Sequence, residues 1–227
     1  MRRWWILIFA VTSLQAAPLS IPLETMTATN QRLVRAVLAH CALHRHPSPC
    51  KFAGRIEDFT FLLDNLGGCV ALVNQCGLAS YRPLVTPEGR LIATNQDGTV
   101  GWLELIDCRP NRRVYYIEGA QSGPFTARGR GVVVVDFQQT GPSELEYTGE
   151  LFVRLDNAFA AVLTRLFIAF VRHEVDLSFV EVMCLPAGLT QLATDQPALL
   201  RGVIQQLSAE DYGQVLPLDR RLLDLAQ

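Results

Sequence analysis

The stretch that decides the fold runs from Glu146 to Glu174: EYTGELFVRLDN, followed directly by AFAAVLTRLFIAFVRHE. The first half alternates apolar and polar residues, the period of a half-buried strand. The second half is apolar nearly all round, and its charged positions are Arg165, Arg172 and Glu174. A surface helix shows one apolar stripe and one polar face. A helix like this one must be covered on most sides, by a sheet, by membrane or by a ligand. Arg165 interrupts an apolar run that is already short of the roughly 20 residues a spanning helix needs, so membrane is the weakest of the three.

The residues upstream supply a sheet. Segments 81–84, 91–94, 99–107, 113–118, 123–128, 131–138 and 144–155 read as strands. Between them lie turn-rich separators such as Thr86-Pro87-Glu88-Gly89, Asn95-Gln96-Asp97-Gly98 and Arg109-Pro110-Asn111. Strands joined by short turns, without crossover helices, make an antiparallel sheet. Gly129-Arg130-Gly131 falls between two of these segments and is expected to mark a bulge or turn. Before the strands, Thr29-Asn30 opens a helix expected to run to about Leu43. A second helical stretch, 58–76, is interrupted at Gly67-Gly68 and stopped at Gly77. After the strands, the apolar helix is expected from 156 to 182 and broken at 185–189. A further helix covers 195–207, and a polar tail follows.

A helix pair, an antiparallel meander and a long apolar helix, in that order, resemble the START-like superfamily (helix-grip, also called SRPBCC or birch-pollen-allergen type). The resemblance covers about residues 51–206 and rests on element order and on the strand-to-long-helix transition. It implies an α+β fold: a curved antiparallel β-sheet gripping a long C-terminal α-helix, with a hydrophobic cavity between them. The family places a strand before its helix pair, and only Lys51 to Ile56 is available for it here. Residues 17–50 form an N-terminal helical extension without counterpart in the minimal fold. It either caps the cavity or packs on the sheet. Residues 207–227 are the C-terminal tail.

The first sixteen residues read as a secretory signal peptide. Arg2-Arg3 is a short positive region, Trp4 to Val11 is apolar, and small residues permit cleavage after Ala16. Its loss removes two of 20 basic residues and none of the 22 acidic ones. The mature chain is thus mildly acidic and has no basic run, which argues against nucleic acid as a partner. The expected location is secreted or periplasmic. All six cysteines, Cys41, Cys50, Cys69, Cys76, Cys108 and Cys184, lie in the mature part. An even count in an oxidising compartment permits disulfides, with Cys41–Cys50 the most local pair. Cys69 and Cys76 are about two helical turns apart, roughly 10 Å, too far to bridge directly.

The candidate ligand-binding residues are Phe159, Leu163, Phe167, Phe170 and Arg165 on the apolar helix, with Trp102 and Tyr115 from the strands. An inward Arg165 would need a carboxylate or an anionic headgroup. Glu146, Glu150 and Arg154 share one strand face, where opposed charges ordinarily face solvent. His40, Cys41, His44, His46 and Cys50 contain an i, i+4 histidine pair but match no known zinc spacing, so no metal is expected. No nucleophile elbow, P-loop or dinucleotide fingerprint is present, and neither catalytic residues nor a cofactor is expected.

The function expected is that of a secreted or periplasmic protein holding a hydrophobic, lipid-like small molecule between sheet and helix, with transient contact to a membrane surface. Two alternatives stand beside it. One is an enzyme of the cyclase or hydratase type using His173, Tyr115 or Glu104. The other is a non-catalytic envelope interaction protein whose core is filled.

Overall fold

The computed structural model describes residues 21, 23–77, 82–86, 90–94, 100–121, 127–156 and 184–206. Its frame is an eight-stranded antiparallel sheet, curved, with helices on both faces. The strands are β1 (Leu43–Arg45), β2 (Cys50–Ala53), β3 (Arg82–Val85), β4 (Leu91–Thr94), β5 (Val100–Arg109), β6 (Arg112–Gln121), β7 (Ala127–Gly141) and β8 (Glu144–Leu155). From β3 to β8 each strand pairs with the next in sequence. Both β1 and β2 then close onto the far side of β8.

This is the curved antiparallel sheet expected from the sequence, while the long apolar helix expected at 156–182 lies outside the described residues beyond 156. The strand that should precede the helix pair is present, in two pieces. β2 lies on β8 at Glu144 to Tyr147, and β1 lies on it at Leu151 to Val153. The extension therefore contributes to the sheet itself. Its helix, α1 (Ala28–Leu38), is capped by Thr27, whose hydroxyl accepts from the Asn30 N–H. α1 ends five residues before Leu43, because 43–45 are taken up by the ladder with β8.

The helix pair is α2 (Ile56–Asp64) and α3 (Leu66–Gln75). The break falls at Asn65, whose side chain donates to the Phe61 carbonyl at 2.8 Å. Gly67 and Gly68, the expected break, lie inside α3 and are buried. A Cβ on Gly67 would stand 2.2 Å from Cγ2 of Val85, so glycine there lets α3 approach β3. Gly77 ends the helix with φ +68°, the left-handed position that favours glycine. Residues 184–195 are helical (α4), through Pro186 and Gly188, where a break was expected. α5 (Pro197–Gln205) follows. Gly129-Arg130-Gly131 is likewise no turn: β7 pairs continuously with β6 through all three residues.

Alternation along the strands divides the core in two. The inner face carries Tyr115, Val133, Val135, Phe137, Leu145, Tyr147 and Leu151, packed with Phe59 and Leu63 of α2 and Ala187 of α4. Phe59 is fully buried and meets the rings of Phe52, Phe137 and Tyr147 at 5.0, 5.5 and 5.7 Å. The outer face carries Val114, Tyr116, Val132, Val134 and Phe152 under Val34 and Val37 of α1. The extension thus packs on the sheet's outer face. α3, α4 and α5 form a third cluster around Leu72, Leu189 and Leu200.

All six cysteines are free thiols. The sheet register excludes the expected Cys41–Cys50 bridge. Cys50 sits opposite Tyr147, while Ala42, next to Cys41, bonds the carbonyl of Val153. Six residues of extended strand separate those points by roughly 20 Å, far beyond disulfide reach. Cys69 is fully buried in α3, where burial pushes its thiol pKa well up. Among the described residues, no helix is long and apolar enough to cross a membrane.

Candidate functional site: the inner face of the sheet

The inner face is filled at one end and incompletely covered at the other. Near α2, the residues Tyr115, Val135, Phe137, Leu145 and Tyr147 are buried. Toward the other end of the strands, Leu103, Leu105, Ile117 and Val153 face the same way but are only half-buried. Beyond them the register aligns small residues in one row: Ala93 opposite Gly101, Gly101 opposite Gly119, and Gly119 opposite Gly129. Four strands thus present a floor of backbone bearing a single methyl group. Among the described residues, a Cβ built on Gly101 or Gly119 would meet only backbone atoms, none nearer than 3.6 Å. Gly131, one row inward, differs. A Cβ there would lie 2.7 Å from Cγ1 of Ile117 and 2.9 Å from the Phe152 carbonyl, so Ile117 occupies that space.

A single bulge produces this row. At the hairpin, Arg109 pairs with Arg112 and Asp107 with Val114. The register then shifts across Ile106, so that Leu105 pairs with Tyr115 and Trp102 with Glu118. An extra residue in one strand turns everything beyond it to the other face. Leu103, Leu105 and Gly101 are thereby inward, and Trp102 outward. Asn30 of α1 donates to the Ile106 carbonyl at 2.8 Å, tying the bulge to the extension.

The polar groups of the inner face are engaged by the fold. Arg113, with its side chain 3% exposed, forms a two-point ion pair with Asp64 at the end of α2, one contact being Nη2 to Oδ2 at 3.0 Å. Its Nη1 donates to the carbonyls of Arg109 and Arg112, and its guanidinium lies 5.6 Å from the Phe137 ring centre. Burial pulls the Arg113 pKa down, but the Asp64 hydrogen bond and charge lift it above the ordinary arginine value. Tyr115 donates its hydroxyl to the Leu63 carbonyl at 2.9 Å. Burial, then the Asp64 carboxylate, raises its pKa well above the usual tyrosine value.

The expected site residues are placed as follows. Tyr115 is on the inner face, as a link to α2. Trp102 is on the outer face, near Tyr116 at 5.4 Å and beneath Arg90 at 5.0 Å. Trp102 and Tyr115 are therefore not walls of one cavity. Phe159, Leu163, Arg165, Phe167 and Phe170 lie outside the described residues, as does His173. Glu104 is outward and paired with Arg90 at 3.0 Å, so Glu104 and Tyr115 do not converge. No local signal in the sequence marks the glycine row, since its alignment depends on the register of four strands.

The outer face has the solvated-charge character expected for Glu146, Glu150 and Arg154. Lys51 meets Glu144 and Glu146 at 3.3 and 3.8 Å. Arg154 donates to the Ala36 carbonyl at 3.0 Å and lies 3.6 Å from Asp156. His44 and His46 approach Glu150 at 3.6 and 3.3 Å, and His44 stacks on Phe152. Because α1 ends at Leu38, His40 and His44 do not share a helix face. Among the described residues no cluster of metal-binding side chains is assembled.

No family model matches the chain, and no curated protein matches it in sequence. Solved structures similar to it include a conserved protein from Geobacillus kaustophilus, 15% identical with a TM-score of 0.46, over 64% of this chain and 96% of that one. Truncated norcoclaurine synthase from Thalictrum flavum is 12% identical with a TM-score of 0.44, over 65% and 93%. A START superfamily protein from Mycobacterium smegmatis is 8% identical with a TM-score of 0.43, over 66% and 99%. At these identities the neighbours say nothing about what this chain binds or does.

Proposed function

We propose that the chain is a binding protein that holds a hydrophobic, lipid-like ligand against the inner face of its sheet. The observation that carries this reading is the row Ala93, Gly101, Gly119 and Gly129 beside the half-buried Leu103, Ile117 and Val153. An apolar wall bordering a floor without side chains suits an acyl chain or a fused-ring ligand better than a polar one. Each buried ligand methylene contributes about 0.8 kcal/mol. The polar side chains nearby, Arg113 and Tyr115, are already committed to Asp64 and Leu63, which favours holding a ligand over transforming it. Residues 1–16 point to export, so the ligand would be met outside the cytoplasm.

The test fills the floor. Gly119→Leu adds a side chain where a Cβ meets no side-chain atom of the described residues. A dansyl-labelled undecanoic acid should bind the wild-type protein with a rise in fluorescence. If the introduced isobutyl group displaces three or four methylenes, the loss is about 2.5–3 kcal/mol, roughly a hundredfold in Kd. Equal binding by wild type and variant, or no binding by either, defeats the proposal. Gly101→Leu serves as the second variant, and circular dichroism confirms that each is folded.

A further inference from the structure

Two thiols that are distant in sequence flank one buried tyrosine, Tyr147. Cys50 of β2 is the cross-strand partner of Tyr147 on β8, and both belong to the inner-face cluster. Side chains paired in this way lie about 5 Å apart at Cβ. Sγ of Cys184, the first described residue of α4, is 3.4 Å from the Tyr147 hydroxyl. Cys50 thus flanks the same tyrosine from the neighbouring strand. The contacts are supported by packing, because Ala187, one turn along α4, is buried in the same cluster. Cys184 is exposed and Cys50 half-exposed, so a small oxidant can reach the pair from solvent.

We infer that Cys50 and Cys184 form a redox-active pair, closed by thiol–disulfide exchange with a small disulfide of the glutathione type. The exposed Cys184 thiolate attacks the small disulfide, releasing one of its halves as a thiol and leaving a mixed disulfide. The Cys50 thiolate then attacks Sγ of Cys184 and releases the second half. Two S–H bonds are lost and one S–S bond forms in the protein. Two electrons and two protons pass to the oxidant, which becomes two thiols. Tyr147 brings the two together, since Cys50 is its cross-strand partner and Cys184 touches its hydroxyl. The closed form would tie β2 to α4 across the inner face, independently of whether that face holds a ligand.

The sequence makes the test direct. Trypsin places Cys41 in peptide 36–45, Cys50 in 46–51 and Cys184 in 173–201, each without a second cysteine. The full-length chain is reduced, equilibrated in a glutathione redox buffer, blocked with N-ethylmaleimide, and digested without reductant. The expected product is 46–51 joined to 173–201, lighter than the two reduced peptides together by two hydrogens, with two of the six thiols lost to alkylation. Cys41→Ser should leave that product unchanged, and Cys184→Ser should restore alkylation of Cys50. Recovery of both peptides as maleimide adducts at every buffer ratio, or of 46–51 joined to 36–45, overturns the inference.

Discussion

Replacing Asp64 by Asn should destabilise the protein more than removing the arginine it serves. The reason is the asymmetry of the pair: the Arg113 side chain is 3% exposed and that of Asp64 is 35% exposed. A guanidinium left in the core without its carboxylate keeps a charge that water does not reach. Breaking a buried pair in this way costs about 3–5 kcal/mol. The lower end applies here, because Nη1 keeps the carbonyls of Arg109 and Arg112. For a chain of this length about 3 kcal/mol corresponds to a fall in Tm of roughly 6–12 °C. Arg113→Met removes the charge and leaves Asp64 free to hydrate. Its cost is the lost bonds to two carbonyls and the contact with Phe137, about 1–2 kcal/mol.

The double variant isolates the pair. With Arg113→Met already in place, Asp64→Asn should add little, giving a coupling energy of about 3 kcal/mol. Urea denaturation followed by circular dichroism supplies all four stabilities. If Asp64→Asn costs less than Arg113→Met, or the coupling is below about 0.5 kcal/mol, water satisfies the guanidinium and the argument from burial is wrong.

Glycines one row apart on the inner face should not behave alike. Gly131→Ala forces a methyl against Ile117 and the Phe152 carbonyl and should cost about 1–3 kcal/mol. Gly119→Ala meets, among the described residues, only backbone, at 3.6 Å, and should be neutral or gain a few tenths of a kcal/mol by restricting the unfolded chain; equal urea midpoints for the two would contradict the packing described. Alkaline stability follows from the buried phenols. Burial raises the pKa of Tyr115 and of Tyr147, so both are neutral in the folded state. Their contribution is fully present below the ordinary tyrosine value near ~10 and is lost as pH rises through the folded values. The urea midpoint should therefore fall above about pH 10, and Tyr115→Phe should make that fall shallower. An unchanged slope would mean that Tyr115 ionises in place.

What was legible in the sequence is local. β4 and β8 are found where alternation placed them, and Gly77 ends α3 because φ there is positive. The break in the helix pair was misplaced because a Gly-Gly step reads as a weak point. In the fold, Gly67 is kept for the close passage of Val85, and Asn65 supplies the break. Pro186 and Gly188 also read as a break, yet both lie in the described part of α4. Local chemistry cannot report which neighbour a glycine is making room for.

The site was hidden for a sharper reason. Extending the hairpin register set by Arg109 and Arg112 without interruption would place Trp102 opposite Gly119, on the face shared with Tyr115. That face would then offer Trp102 and Glu104, an aromatic and a carboxylate beside a buried phenol, the makings of a polar pocket. The one extra residue at Ile106 reverses this. It sends Trp102 and Glu104 outward to Tyr116 and Arg90, and brings Gly101, Leu103 and Leu105 inward. The choice between a polar pocket and an apolar floor thus rests on a bulge whose free carbonyl is taken by Asn30, a residue of the extension. Losing that hydrogen bond costs about 1 kcal/mol, more if the carbonyl stays buried. Asn30→Ala should therefore loosen the register of β5 and weaken binding of the dansylated acid without touching the inner face. If that variant binds as wild type does, the bulge is held by the sheet alone and the extension has no part in shaping the site.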